Sequence, residues 1–267
     1  MLASRLPVLT ATLYDQRRGL LLWALALVGL TVMYGAFYPE MAVDDALEVY
    51  LDALPEGFSI AMGFEDISTA AGYLTSTVYA LLAPLLLLVF ALTTGTRLVA
   101  GDEEAGTLEL TVTHPVSRHR VLLERAGALV VAVALLSAAV GLATGGLAVG
   151  YGLDLPGENI VAATVGLGAF ALAFGLLGLA AGAVSGRRAA SLGIVAAVAL
   201  ASYVLDALSR LAEPLEGWER ASPFHWYVGG DPLADGWDLG GLALLGAVAV
   251  VALIVAVWRF DRRDLGV

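Results

Sequence analysis

The sequence predicts an all-α protein that crosses a membrane with six helices. Apolar residues make up 59% of its 267 positions and charged residues only 15%, and the mean hydropathy is +0.84. A soluble domain has roughly 45 to 50% apolar and about 25% charged residues. Because a bilayer span needs about 20 predominantly apolar residues, uncharged stretches of that length mark the spans. They run from Gly19 to Tyr38, Ile67 to Thr96, Ala126 to Leu153, Asn159 to Gly186, Ala189 to Leu205 and Leu239 to Trp258.

The first predicted element is an interfacial helix over residues 1–18. Leucines at positions 2, 6, 9 and 13 recur at helical spacing and form one apolar stripe. Such a helix would lie on the inner leaflet and lead into the first span. That span is about 20 residues long and no small-residue cleavage pattern follows it, so it predicts a retained helix rather than a signal peptide.

An acidic outer loop is predicted over residues 39–66. It contains eight acids and no base. Val43, Leu47, Leu51 and Leu54 again repeat at helical spacing, which predicts a solvated surface helix. The acids do not have the spacing of a calcium loop. In the second span that follows, Pro84 predicts a kink.

The fifth span and the segment that follows it have unusual sequences. The fifth stretch is short, but it can continue past Asp206 to Leu208 because a carboxylate near a helix end can reach the interface. The outer segment of residues 211–238 mixes three prolines with tryptophans and a tyrosine. This composition predicts short helices at the headgroup layer.

The arginines predict which side each connection faces. If the N-terminus lies inside, twelve arginines are cytoplasmic and only Arg210 and Arg220 lie outside. Because basic residues are retained on the cytoplasmic side, both termini are predicted to be cytoplasmic, in a plasma membrane. The inner arginines are Arg5, Arg17, Arg18, Arg97, Arg118, Arg120, Arg125, Arg187, Arg188, Arg259, Arg262 and Arg263.

The remaining charge is acidic and lies mostly outside. The net charge of −11 divides into +4 inside and −15 outside. An exterior with so much negative charge repels itself unless salt screens it, as it does at about 1 M, where the Debye length is about 3 Å. We therefore expect a halophilic source.

Two residue types are absent, and their absence excludes several kinds of chemistry. Without cysteine there is no disulfide, thiolate metal site or cysteine nucleophile. All fourteen basic residues are arginine, so the chain lacks the lysine of a Walker A phosphate loop. Any ATP hydrolysis must therefore belong to a partner. The pattern predicts no catalytic, cofactor-binding or metal-binding residues in this chain.

The connection of residues 101–118 differs from the other inner loops because it is acidic. It holds four of the eight predicted cytoplasmic acids, which topology alone does not require. Asp102 could cap a short helix there, and Ser117 could cap the third span after Pro115 breaks the chain. Arg118 and Arg120 then lie at the mouth of that span. A compact acidic helix at this place predicts docking to a cytosolic partner.

These residues resemble the membrane subunits of ATP-binding-cassette exporters, which are six-span permeases with a Glu-rich, Gly-Thr-Leu-Glu and Pro-Val-Ser-Arg stretch after the second span. The matching residues here are Glu103, Glu104, Gly106, Thr107, Leu108, Glu109, Pro115, Val116, Ser117 and Arg118. The outer Ser222-Pro223-Phe224 and the C-terminal segment from Arg259 to Leu265 are also similar. The basic residue usual early in the third span is Arg125 here, in place of lysine.

The resemblance implies a single permease domain over residues 1–267 with a coupling helix from about Gly101 to Thr113. That helix would sit in a groove of a separate ATPase subunit, which binds ATP and magnesium. Asp102 and the matching acids would face the ATPase, and Arg118 would fix the helix to the bundle. Two permease copies, most simply a homodimer embedded in lipid, would form an exporter with no nucleic-acid partner.

Three other functions compete with this one. An intramembrane protease needs a serine with a histidine, or two aspartates, within the bilayer, and no such pair is evident. An ion-coupled carrier needs ionisable residues mid-membrane, and Asp206 is the one candidate. A non-transporting scaffold would have the same topology. The substrate is not evident from the sequence.

Overall fold

The fold is known from a computed structural model that describes residues 6–41, 67–101, 104, 118–211, 213–215 and 217–262. The regular structure in these ranges is helical throughout. Six of the described helices are long and apolar enough to span a membrane, which confirms the predicted fold class and span count.

The spanning helices are α1 to α5 and α7, and a short helix α6 lies before the last span. Their bounds are Pro7–Met41 for α1, Ala70–Gly101 for α2, Arg118–Tyr151 for α3, Gly157–Ser185 for α4, Arg188–Ser209 for α5, Pro223–Val228 for α6 and Leu239–Arg262 for α7. Two 3₁₀ turns, Glu213–Leu215 and Trp218–Ala221, precede α6. The spans therefore extend past several of the predicted ends.

Helix α1 runs without a break through the predicted interfacial helix and the first span. Its 35 residues reach about 52 Å at about 1.5 Å per residue, which exceeds the roughly 30 Å hydrocarbon core, so part of it lies outside that core. The helix continues to Met41, so the predicted loop start at residue 39 lies three residues too early. The helix can include Pro39, because a proline in the last turn removes only one backbone hydrogen bond. The interfacial position of residues 7–18 stays a prediction, and residues 42–66 of the acidic loop lie outside the described residues.

Helix α2 is irregular at two places. It is α-helical over Ala70–Leu74 and Ala83–Thr96, and it is wound as a π-helix over Thr75–Leu82 and Arg97–Gly101. In the first π segment the Ser76 hydroxyl donates to the Gly72 carbonyl at 2.7 Å, and the Thr77 hydroxyl donates to the Tyr73 carbonyl at 2.6 Å. Such hydroxyls compete with backbone amides for the same carbonyls and so loosen the α-helical register.

Helix α4 forms the centre of the bundle. Of its most apolar window 61% is buried, compared with 17% for α1 and 22% each for α5 and α7. Small residues let α2 approach α4 closely, because the position of a Cβ on Gly95 is only 2.1 Å from the Gly175 carbonyl oxygen. Gly178 and Gly182 of α4 continue this contact surface against Thr96 and Ala100.

The outer segment folds into short pieces, as its prolines predict. Ser222 caps α6 by accepting from the amide of Phe224 at 3.1 Å. The side chain of Phe224 is buried, and the ring of Tyr227 stacks on Phe170 of α4 with centroids 5.2 Å apart. Helix α6 therefore inserts its aromatic side into the bundle.

We predict that Gly95→Ala separates α2 from α4. The added methyl would meet a backbone oxygen, which cannot rotate away, so we expect a loss of about 3 kcal/mol or more in unfolding free energy. Gly193→Ala in α5 is the matched control, since its Cβ meets nothing within 4 Å. Thermal unfolding in detergent measures both, and an equal effect of the two changes would contradict the close-packing account.

Candidate functional site

The predicted partner-contacting residues lie mostly outside the described residues. These are Asp102, Glu103, Gly106, Thr107, Leu108, Glu109, Pro115 and Ser117. Of the predicted set, Glu104 is described with its contact, and Arg118 is described as the first residue of α3. The described structure therefore defines the base of the 101–118 connection.

Glu104 contacts the start of α5. Its carboxylate oxygen Oε1 accepts a hydrogen bond from the backbone amide of Arg188 at 2.9 Å. The N-cap residue of α5, Arg187, makes no side-chain capping bond. Because the first amides of a helix lack partners within the helix and carry partial positive charge, a carboxylate at this place stabilises the helix. Glu104 thus joins the connection between α2 and α3 to the connection between α4 and α5.

The last turn of α2 is tied to α3 by Arg125. This arginine is 6% exposed, and its Nη1 donates to the carbonyl of Leu98 in the second π segment. The donor is charged, so the bond is stronger than one between neutral groups. Arg125 is the residue that the sequence matched to the basic position of the third span.

Glu124 ties α3 to the start of α1. It is 4% exposed, and its Oε2 accepts from the backbone amides of Val8 at 2.8 Å and Leu9 at 3.2 Å. Its other oxygen accepts from Nε of Arg120 at 2.9 Å. Glu124 therefore caps α1 from another helix.

A cleft lies beside this contact, between the start of α1 and the start of α3. Its volume is about 480 Å³, and its lining comprises Leu6, Leu9, His119, Arg120, Leu123 and Glu124. It opens next to the described end of the 101–118 connection at α3. Glu104, Glu124 and Arg125 are together called the connection contacts below, because each joins the 101–118 connection, or the helix that follows it, to another element.

Sequence reasoning treated Glu124 as one inner acid among eight and did not give it a role. The signal available was its position, four residues after Arg120 and next to Arg125, at the apolar start of a span. A carboxylate there needs partners, because burying an unpaired charge is costly. The partners themselves come from α1, which is more than a hundred residues away in the chain.

The C-terminal end of α5 has its own ionic contact. Asp206 is 2% exposed, and its two oxygens contact Nη2 of Arg210 at 2.9 Å and Nδ1 of His225 at 3.2 Å. Asp206 therefore lies at the predicted end of the fifth span and joins α5 to α6. Among the described residues, no three His, Cys, Asp or Glu side chains lie close enough to hold a metal ion.

These features define a multi-pass helical membrane protein in which the starts of α1, α3 and α5 and the end of α2 are joined to one another by side-chain contacts. The chain belongs to the ABC-2 family of transporter proteins, because the family model described as "ABC-2 family transporter protein" matches residues 6–265. The resemblance to ABC permeases is thereby confirmed. Members of this family are the membrane components of transporters, and they associate with an ABC ATPase. No curated protein matches the chain.

We predict that Glu124→Ala lowers the unfolding free energy by about 2 kcal/mol. The change removes an acceptor that serves two amides at the start of α1 and the Arg120 guanidinium. For a chain of this size that loss corresponds to a melting temperature about 4 to 8 °C lower. The control is Glu158→Ala, which removes an exposed carboxylate from the first turn of α4. If both variants lowered the melting temperature equally, Glu124 would not be part of the candidate site.

Proposed function

We propose that this chain is the permease subunit of an ABC exporter and that its 101–118 connection docks on a separate cytosolic ATPase. The observation that carries the proposal is the set of connection contacts. Through it the base of this connection contacts α3 and α5, and α3 in turn holds α1. A force applied to the connection therefore reaches four spans.

The docking surface in this proposal has an acidic and an apolar part. Glu103 and Glu109 would pair with basic groups of the ATPase, and exposed pairs of this kind contribute only about 0.2 to 1 kcal/mol each. Leu108 and Leu110 would supply much of the remaining docking energy. ATP and magnesium would be bound by the ATPase, whose closure would move the spans.

Two copies of the permease complete the proposed transporter. The low burial of α1, α5 and α7 leaves broad apolar faces that a second copy and lipid would cover. The proposed orientation, with both termini in the cytoplasm, is supported by the contacts that place the start of α1, the end of α2 and the starts of α3 and α5 at one end of the bundle. The proposed direction of transport, which is export, rests on the family resemblance.

Neutralising the acids tests the docking proposal. We predict that the triple variant Glu103→Gln, Glu104→Gln, Glu109→Gln loses most of its co-purifying ATPase and the associated ATP hydrolysis, because the acidic surface is removed. Glu104→Gln alone keeps an oxygen that can accept from Arg188, so we expect it to retain most of the association.

The control is the double variant Asp154→Asn, Glu158→Gln, which removes exposed charge from the connection between α3 and α4 and from the first turn of α4, at the opposite end. Tagged protein is isolated from its native membrane, and ATPase content and hydrolysis rate are measured. Full association of the triple variant would overturn the proposal, as would equal losses in the control.

The acidic exterior gives a further prediction, which is that the protein is adapted to high salt. We expect the melting temperature of the detergent-solubilised chain to rise between about 0.1 and 2 M salt, because screening shortens the range of repulsion among the outer carboxylates. Potassium chloride and sodium chloride should act alike, since the effect is one of ionic strength. A melting temperature that does not change with salt would contradict a halophilic adaptation.

A further inference from the structure

The first π segment of α2 ends two residues before Pro84, a residue that cannot donate a backbone hydrogen bond to a carbonyl of this segment. At the end of this segment the amide of Ala83 donates to the carbonyl of Val78, five residues back. In the same register residue 84 would donate to the carbonyl of Tyr79, but residue 84 is a proline and has no N–H. The Tyr79 carbonyl therefore needs another donor, since an unpaired carbonyl is costly inside an apolar bundle.

That donor comes from the outer segment. The hydroxyl of Tyr227 in α6 donates to the Tyr79 carbonyl at 2.7 Å. Tyr227 is only 3% exposed, and burial raises the pKa of its phenol well above the ordinary value, so the group keeps its proton and remains a donor. Its ring is fixed by stacking on Phe170, with an angle of 17° between the ring planes.

The position of this acceptor depends on how α2 is wound. If the same stretch were α-helical, proline would leave the carbonyl four residues back without a donor, which is that of Ala80. Adjacent carbonyls of a helix are about 100° apart around its axis, given 3.6 residues per turn. A donor aimed at the Tyr79 carbonyl therefore fits the π-wound form and not the α-wound form.

We propose that Tyr227 is a latch that holds α2 in its π-wound form, so that the position of the outer helix α6 and the winding of α2 change together. Rewinding of α2 would leave Tyr227 without its acceptor, and withdrawal of α6 would leave the Tyr79 carbonyl without its donor. A second contact joins the same two regions. The hydroxyl of Thr75, at the start of the π segment, donates to Oδ1 of Asp231, which follows α6, at 3.1 Å.

Through this latch, a change in the position of α6 can affect the opposite end of the bundle. Helix α2 continues from Pro84 to its second π segment, where Arg125 donates to the Leu98 carbonyl. That segment ends at Gly101, where the 101–118 connection begins. If this connection docks on an ATPase, as proposed above, then docking and the position of α6 are linked through the winding of α2.

A double-mutant cycle tests the latch without any transport assay. Tyr227→Phe keeps the ring and removes the donor, and we expect it to lower the melting temperature of the detergent-purified full chain by about 3 to 6 °C. Pro84→Ala restores an N–H at residue 84. In that background Tyr227→Phe should cost about 1 °C or less, because the Tyr79 carbonyl then has a backbone donor.

Tyr203→Phe is the matched control, because that ring packs edge-on against Phe224 of the same α6, with centroids 5.1 Å apart. We expect its effect to be the same in the native background and in the Pro84→Ala background. Equal losses from Tyr227→Phe in the two backgrounds would overturn the latch. If Tyr227→Phe alone does not accumulate, recovery of folded protein in the double variant supports the latch, and failure of the double variant overturns it.

Amide hydrogen exchange measures the coupling between α6 and the winding of α2. Tyr227→Phe should speed exchange in residues 75–83 of α2 by about 3- to 10-fold, while Tyr203→Phe should leave that segment unchanged. Faster exchange confined to α6 would overturn the link between α6 and α2. Both experiments use the permease alone, so a failed latch is distinguishable from a failure to associate with an ATPase.

Discussion

The structure depends on one constraint, which is that a backbone amide or carbonyl inside a bilayer must find a hydrogen-bond partner within the protein. A regular helix satisfies this rule except at its ends and at irregular turns. Several of the side-chain contacts that join distant elements lie at those places. Glu124 accepts from the start of α1, Glu104 accepts from the start of α5, and Arg125 donates to the last turn of α2.

The same constraint explains why α2 differs from its neighbours. It contains two π segments and a proline, and a side chain of another helix donates to one carbonyl in each π segment. The close approach of Gly95 to Gly175 places α2 against the most buried span, α4, where water cannot supply the donor. Helix α2 is therefore attached in its N-terminal half through Tyr227, along its length through α4, and at its C-terminal end through Arg125.

The sequence predicted the spans well because each is a run of about 20 apolar residues, a signal that needs no knowledge of packing. It also predicted the broken outer segment from its prolines, and it placed Asp206 at the end of a span. It could not predict the partners of Glu124 or Tyr227, because 116 and 148 residues separate the bonded groups. Pro84 indicated a kink, but the choice of a π segment depends on the tertiary donor that satisfies Tyr79.

The distribution of polar groups bears on the energy source of the transporter. Within the described spans, the buried charged side chains lie near the ends, with Glu124 and Arg125 at the start of α3 and Asp206 near the end of α5. Between them, the buried polar groups that join helices are neutral hydroxyls, such as the pair of Tyr79 and Thr144 at 3.1 Å. A carrier driven by ions holds ionisable groups at that depth. A bundle whose described middle holds hydroxyls is better suited to the proposed role, in which a separate ATPase supplies the energy.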